Sequence, residues 1–455
     1  MTARPDATSL PGQSSRPRID RYTPPPTPTL PDAVPDPKSR SGPVTSIYNR
    51  RFWIAYCANV LLVASNAVTF KFADLVDLLG GSKEDTGEII RSGLYGAVGV
   101  RLVLGQWMDR YGIGRCWRVG SLLALLGAVG MATVSSLGWQ LDWSRFVYAA
   151  GLGVLFSCSM AHIQNEVPPR FRTEVIASLG SSGFLGLMLG TIAADVIAGM
   201  TELSLTRYAI LFGVTAGCQA AYLLMVTVLT WNDPRPRNDF PTPPAWVLLR
   251  RYWPGSVVLC GLFMGAGFAA TSVYLTQLAE LRGFSGISWF FVPYAMSAFV
   301  FRVLSRTWSY HIGRYRLTVI GLVAQAVGFV TIPVVMVEWA LAFPAVVIGF
   351  GHALLFPAVV SLGTRRYPKR YRGTGTTLIL AFFDAGGLLL APAMGWIIDR
   401  YGYSPMYVAT AGFAVAAAAV FGGLTMGVLD SDQRPRPAAG AQSKAGLLSG
   451  EAVPA

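Results

Sequence analysis

The sequence contains few charged residues for its length. Only 13% of its 455 residues are Asp, Glu, Lys or Arg, whereas an average soluble chain carries about 25%. Hydrophobic residues make up 53%, and the polar residues lie in short clusters between long apolar runs. This scarcity of charge excludes a set of ordinary water-soluble domains and indicates that lipid surrounds most of the chain.

Cysteine is also scarce, and its placement excludes its common structural uses. The five cysteines form no CxxC pair and lie within or at the ends of apolar runs, at Cys57, Cys116, Cys158, Cys218 and Cys260. A disulfide framework or a zinc site has closer thiol spacing, so we interpret them as buried thiols and expect no metal and no cofactor. The sequence also lacks a GxxxxGK(S/T) loop, so ATP is not the expected energy source.

Twelve apolar runs are long enough to cross a membrane, which requires about 20 residues each. Backbone groups in lipid must form hydrogen bonds within their own segment, so such runs are helices unless they close a barrel, whose strands would be shorter and alternating. The fold class predicted is therefore an all-α membrane protein. The runs are 52–74, 88–108, 116–138, 144–166, 174–198, 207–231, 254–279, 286–308, 316–337, 339–362, 374–397 and 405–428.

Basic residues are distributed unevenly between the loops. They concentrate after the second, fourth, sixth, eighth and tenth runs, whereas the other loops contain little beyond Lys83, Arg282 and Arg400. This asymmetry follows the positive-inside rule and predicts that both termini are cytoplasmic, in a bacterial inner membrane. It also accounts for the formal net charge of +13 without a nucleic-acid partner.

The two ends of the chain differ from its apolar middle. Residues 1–48 are rich in Pro, Ser and charge and lack the apolar core of a secretory signal. They predict a disordered cytoplasmic tail, as do residues 430–455. The proline-rich stretch is either a plain linker or a docking motif.

The two halves of the chain repeat one design. Arg101–Gly112 aligns with Arg302–Gly313 at an offset of 201, and Pro168–Arg172 aligns with Pro368–Arg372 at an offset of 200. Many transporters consist of duplicated bundles with the substrate site at their interface. The repeat predicts pseudo-symmetric six-helix bundles over 49–231 and 251–429, joined by a central cytoplasmic loop over 232–250.

The loop between the second and third runs carries a motif. It reads GQWMDRYGIGR, with Gly105, Asp109, Arg110, Gly112 and Arg115 at positions that resemble the GxxxD(R/K)xGRR signature of the major facilitator superfamily. The resemblance covers about residues 50–428 and implies a secondary transporter, not an enzyme, that moves a small molecule by alternating access.

Two further segments support this resemblance. A second GxxxDRxG stands at Gly395–Gly402, and Ala381–Gly386 is similar to bacterial sugar and drug exporters. By the same resemblance, the five residues of the first motif latch the outward-facing state; the alternative is a solvated loop whose arginines only set topology. The equivalent loop of the second half has Arg306, Tyr310 and His311 at the signature positions, so no equal second latch is expected.

The resemblance also implies that spans one, four, seven and ten line a central cavity. Polar groups at membrane depth are costly unless they face a cavity or a partner, although Ser, Thr and Asn also bond within or between helices. This mildly polar set favours an uncharged, amphipathic or weakly ionic substrate. The candidates are Asn59, Asn66, Ser157, Ser159, Thr271, Tyr274 and His352.

Three cations have two interpretations each. Lys71 shares a helix face with Asp74 and either extends to the outer surface or points inward and attracts an anionic substrate. Arg101 and Arg302 are either interfacial anchors or a cationic pair that guards the inner mouth of the cavity.

Proton coupling is predicted from two ionisable residues in the second half. His352 and Asp384 each lie sixteen residues from Pro368, on adjacent spans, so they have similar depth. A titratable pair there would suit a proton carrier; the alternative is that Asp384 makes a structural hydrogen bond.

The leading hypothesis is a monomeric, proton-coupled exporter of a small organic molecule within the lipid bilayer. Gly186 and Gly190 in span five retain the glycines of an exporter motif but not its proline. The alternatives are a proton-linked or facilitative importer, and a non-transporting receptor or assembly protein with the same fold.

Overall fold

A computed structural model describes residues 49–166, 172–233, 242–305, 308, 312–368 and 371–429 of the chain. Within 163–166, 172–178 and 426–429 only the backbone is described. The predicted tails, 1–48 and 430–455, and part of the predicted central loop lie outside the described residues.

Twelve long helices account for most of the described chain, and each matches one predicted span. Ten of them are long and apolar enough to cross a membrane; α2 is long but more polar, and α8 is apolar but has only 17 residues. The predicted all-α fold with about twelve spans is confirmed. The helices are α1 Arg50–Leu78, α2 Lys83–Tyr111, α3 Ile113–Ala132, α4 Trp139–Glu166, α5 Arg172–Met200, α6 Leu205–Thr230, α7 Val257–Leu281, α8 Ser288–Leu304, α9 Arg314–Val334, α10 Glu338–Thr364, α11 Arg372–Tyr401 and α12 Tyr403–Leu429.

Local sequence signals set the helix ends. A capping box begins α2: the Ser82 hydroxyl accepts from the Asp85 amide at 3.0 Å, and the Asp85 carboxylate accepts from the Ser82 amide at 2.8 Å. Glycines with positive φ separate α2 from α3 and begin α9, at Gly112 (φ 89°) and Gly313 (φ 87°). These are the two glycines that the internal repeat aligns. Only glycine adopts this conformation without strain.

Small residues allow the helices to approach closely, which matters because lipid provides no hydrophobic drive for helix association. On α7, a Cβ atom at Gly265 would lie 1.7 Å from the carbonyl oxygen of Phe383 on α11. On α5, a Cβ atom at Gly190 would lie 2.3 Å from the carbonyl oxygen of Ala64 on α1. The glycines that span five retains from the exporter motif therefore pack this helix against α1.

The helices form two bundles, α1–α6 and α7–α12, that meet along two helix pairs. α2 packs along α11, and α5 packs against α8. Large apolar side chains on the outer surface of the bundles, such as Val415 and Leu424, are exposed, as expected for groups that face lipid. A small helix, Ala245–Arg251, lies between the bundles in the chain.

We predict that Gly127→Ala destabilises the protein by about 1–3 kcal/mol, the usual cost of overpacking. A Cβ atom there would lie 2.4 Å from the backbone nitrogen of Tyr148. Gly213→Ala is the matched control, because Gly213 is exposed and nothing lies within 4 Å of its added Cβ atom. Thermal unfolding of both variants in detergent measures the difference, and equal midpoints would contradict the packing described.

Candidate substrate cavity

A cavity of about 2040 Å³ lies between the two bundles. Its lining includes residues at the ends of α2, α3, α9 and α11, among them Asp109, Arg115, Arg314 and Arg372. We call this the open end of the molecule, and it carries the basic loops that the sequence predicts to be cytoplasmic. Residues from both bundles contribute to the wall, as expected for a path between two halves.

Two carboxylates join the bundles at the opposite, closed end. Asp399, near the end of α11, accepts hydrogen bonds from the first two amides of α2, at Lys83 (3.2 Å) and Glu84 (2.8 Å). Asp195, on α5, accepts bonds of 2.8 and 2.7 Å from the amides of Ile287 and Ser288 at the start of α8. Helix N-termini carry partial positive charge and unpaired amides, so they bind carboxylates well. Each half thus caps a helix of the other.

Further contacts seal the closed end. The Gln277 side chain donates to the Ala73 carbonyl (3.2 Å) and to the Asp77 carboxylate (2.9 Å), which links α7 to α1. The ring of Phe70 lies 5.9 Å from that of Phe268 and 5.0 Å from that of Phe291. In this state the cavity is therefore accessible from the open end.

Lys71 belongs to this seal. It is buried, 3.6 Å from Asp74 and 3.8 Å from Asp195, and it is not one of the cavity-lining residues. Tyr274 lies in the same region, where its hydroxyl donates to the Ala391 carbonyl at 2.6 Å. Both side chains connect helices in the present state.

An ion pair joins the two halves in the wall of the cavity. The guanidinium of Arg101 on α2 lies 2.5 Å from the carboxylate of Asp384 on α11, and it also donates to the Ser157 hydroxyl at 3.0 Å. The Arg101 and Asp384 side chains are 6% and 12% exposed. All three residues line the cavity. Three of the predicted site residues are thus brought together, from α2, α4 and α11.

His352 lies elsewhere. Its ring packs against Tyr294 (5.9 Å between centroids) and Phe356 (5.7 Å), beside a small void that Thr271 also lines. Counting residues along a helix gives the depth of a side chain but not the direction in which it points. Asp384 therefore has Arg101 as its partner, while His352, at similar depth on α10, contacts aromatic rings.

The other polar candidates divide between the cavity and the helix contacts. Asn66 lines the cavity. Asn59 donates to the Ser182 hydroxyl at 2.6 Å, which joins α1 to α5. The hydroxyls of Ser159 and Thr271 donate to carbonyls of their own helices, at 3.4 Å and 3.2 Å.

Two arginines line the cavity beside aromatic rings. Arg302, which the repeat aligns with Arg101, lies over the ring of Phe184. Arg145 on α4 lies over Phe72. The sequence did not single out Arg145, because it is the second residue of the predicted fourth span and resembles an ordinary end anchor. The available signal was that an arginine stands within an apolar run.

The signature loop contacts the central loop. Asp109 accepts hydrogen bonds from the amide of Thr242 (3.0 Å) and from its hydroxyl. Gly105 faces Thr374 at the start of α11, where a Cβ atom would lie 2.8 Å from the Thr374 methyl group. Arg110 lies over the ring of the adjacent Tyr111, and Arg115 lines the cavity. Residues Arg306, Tyr310 and His311 of the equivalent loop lie outside the described residues.

We predict that Asp399→Asn and Asp195→Asn weaken the closed end, because an amide oxygen is a poorer acceptor than a carboxylate for a helix N-terminus. The ratio of separated to closed populations should rise about fivefold, equivalent to about 1 kcal/mol. Spin labels at Leu203→Cys and Met336→Cys, in exposed positions beside the closed end of opposite halves, would report the distance distribution.

Asp142→Asn is the control for that measurement. Asp142 lies at the same end but accepts from Ser92 (3.1 Å) within its own half, so its replacement should leave the distance distribution unchanged. Equal distributions for all three variants would show that the carboxylate caps do not hold the halves together.

Comparison with known proteins agrees with this architecture. The sequence model of the Major Facilitator Superfamily matches residues 52–389 and 286–452. Relatives described as uncharacterized MFS-type transporter YhhS, from Escherichia coli K12 and Salmonella typhimurium, are 21% identical over 174 residues. Those matches cover 38% of this chain and 42% of each relative, so the chain spans under half of the relatives' length.

Solved structures show the same fold. A D-xylose-proton symporter superimposes with a TM-score of 0.64 at 15% identity, over 81% of this chain and 96% of the other. The nucleoside transporter NupG gives 0.66 at 13% identity, over 82% and 98%. With the family model matching most of its length and twelve helices around a cavity, the chain belongs to the major facilitator superfamily and is a multi-pass membrane protein.

Proposed function

We propose that this transporter is a proton-coupled exporter of a small organic molecule and that the Asp384 carboxyl group carries the proton. The observation that supports the proposal is the Arg101–Asp384 ion pair in the cavity wall. A carboxylate within a spanning helix is costly unless it is paired, hydrated or protonated. Both residues line the cavity, which is accessible from the open end.

Protonation of Asp384 changes a contact between the two halves. The neutral acid no longer forms an ion pair with Arg101, which keeps its hydrogen bond to Ser157 within the first half. Because α2 and α11 belong to different bundles, this loss alters the relative free energies of the two access states. Proton binding and the change of access are then linked through one contact.

The Asp109 loop supplies the second part of the proposal. In the present state, open at the basic end, Asp109 contacts the central loop at Thr242. Gly105 already faces the start of α11, so closing the open end brings the Asp109 carboxylate near that helix N-terminus. We propose that Asp109 exchanges partners between the two states, as the latch hypothesis requires.

Export, a monomeric state and a bacterial inner-membrane location with cytoplasmic termini belong to the same proposal. The arginine-rich open end supports the orientation, and the retained glycines of α5 support export. Import is the alternative. The comparison that supports this alternative is the D-xylose-proton symporter, which has the same fold, since a symporter moves its substrate in the same direction as the proton.

We predict that Asp384→Asn abolishes accumulation driven by a pH gradient but leaves downhill substrate exchange intact. The amide cannot carry a proton, yet the cavity keeps its shape. The measurement uses proteoliposomes with an imposed pH gradient and a compound that stabilises the purified protein. The sign of flux in the wild-type protein separates export from import.

His352→Gln discriminates between the two coupling candidates. Because His352 lies behind the cavity wall against Tyr294 and Phe356, this variant should retain gradient-driven accumulation. Loss of accumulation in His352→Gln, together with full accumulation in Asp384→Asn, would transfer the coupling role to His352 and overturn the assignment.

We predict that Asp109→Asn reduces transport about tenfold while membrane insertion persists, because charge-assisted hydrogen bonds contribute about 1.5–3 kcal/mol. Flux normalised to protein in the membrane is the measurement. Glu202→Gln, in an exposed position at the closed end, is the control and should transport normally. Unchanged flux for Asp109→Asn would contradict the proposal that Asp109 latches one access state.

A further inference from the structure

Arg302 lines the cavity without a carboxylate partner among the described residues. Its guanidinium carbon lies 4.9 Å from the ring centre of Phe184 on α5 and 5.6 Å from that of Phe356 on α10. Its Nε and one terminal nitrogen are buried and have no hydrogen-bond partner in the described part of the chain. The charge is thus stacked against rings but not neutralised.

Arg145 has the same kind of environment, nearer the closed end. Its guanidinium carbon lies 4.5 Å from the ring centre of Phe72 and 6.0 Å from that of Tyr148. One terminal nitrogen contacts the Met131 sulfur at 4.0 Å, and the Nε atom is buried without a partner among the described residues. Arg101, in contrast, has Asp384.

Cations exceed anions along the described lining of the cavity, with eight arginines against three aspartates. The aspartates already have partners: Asp384 has Arg101, Asp109 has Thr242, and Asp233 lies 3.5 Å from His162. At the open end this excess follows from topology. Arg145 lies inside α4, where topology does not require an arginine and an unmatched charge is costly. Topology accounts for an arginine in the last turn of α8, where Arg302 lies, but not for the burial of its Nε and one terminal nitrogen without a partner among the described residues.

We propose that the transported substrate is a small organic anion, and that Arg302 and Arg145 recognise its carboxylate or phosphate group. Rings that contact a guanidinium cover its faces, and the paired hydrogen bonds that these anions accept form at its edge. Aromatic residues such as Phe156, Phe268 and Phe383 also line the cavity and suit an apolar portion of the same molecule.

This inference rests on the transport function and names its substrate class. It replaces the uncharged, amphipathic or weakly ionic substrate expected from the polar candidates with one that carries a full negative charge. Attraction of an anion was one of the two interpretations of Lys71, but Lys71 lies beside Asp74 and Asp195 in the closed end. The cationic recognition groups are the two arginines instead.

The test measures thermal stabilisation of the purified full-length protein by compounds matched in size but not in charge, at constant ionic strength. The triplets are benzoate, benzamide and benzylamine; octanoate, octanamide and octylamine; and a sugar phosphate, the free sugar and the amino sugar. We expect the anion of at least one triplet to raise the unfolding midpoint and its neutral and cationic counterparts not to.

Variants locate the site. Arg302→Gln and Arg145→Gln should each weaken binding of the stabilising anion at least tenfold. Arg302→Lys should weaken its binding less, because the positive charge remains. Arg91→Gln is the control, since Arg91 pairs with Glu88 and does not line the cavity. Inorganic phosphate, tested alone, separates recognition of the charged group from recognition of the whole molecule.

Two results would overturn the proposal. One is that no anion in any triplet raises the unfolding midpoint, whether or not the neutral or cationic members raise it. The other is an anion that stabilises both glutamine variants as well as it stabilises the wild-type protein. Because binding is measured without a pH gradient, neither result depends on proton coupling.

Discussion

An unmatched charge within a spanning helix is costly, and in this protein the matching groups often belong to the other half of the molecule. Arg101 pairs with Asp384 in the cavity wall, and Asp195 and Asp399 each bind a helix N-terminus of the other half at the closed end. Neither half can move away without exposing an unpaired group. A change of access therefore requires that each of these groups receive a new partner, such as water, a proton or substrate.

The closed end is built reciprocally. The first half supplies Asp195 and the start of α2, and the second half supplies Asp399 and the start of α8. Glycines permit the approach on both sides: a Cβ atom at Gly395 would lie 2.1 Å from the Lys83 carbonyl oxygen, and one at Gly286 would lie 2.2 Å from the Asp195 carboxylate. Charge and close packing thus act at the same two places.

Most of the fold could be predicted from the sequence, because a helix in lipid has one strong requirement, an apolar run of sufficient length. The direction of individual side chains could not. His352 and Asp384 have similar depth but different neighbours, and Tyr274, expected in the cavity, bonds to α11. Rotation about the helix axis depends on packing against neighbours, which a single sequence does not contain.

The same limit explains the residues that sequence reasoning missed. Asp399 was visible as part of a repeated GxxxDRxG, but nothing in that motif shows that it faces the start of α2. Asp195 is a single carboxylate near the end of an apolar run and resembles an interfacial residue. Arg145 stands at the edge of its predicted span. Each becomes informative only when its partner from a distant part of the chain is known.

The closed end also has an uneven tolerance to mutation. The donors to Asp399 and Asp195 are main-chain amides, at Lys83, Glu84, Ile287 and Ser288, and a main-chain amide is present in every residue except proline. These four bonds therefore do not depend on which side chain stands at each position, although Lys83 also pairs with Asp77 and Ile287 is buried in the core. The acceptors depend on two particular carboxylates. Substitution of either aspartate therefore removes an acceptor from the closed end, whereas substitution of a donor residue leaves its main-chain amide in place.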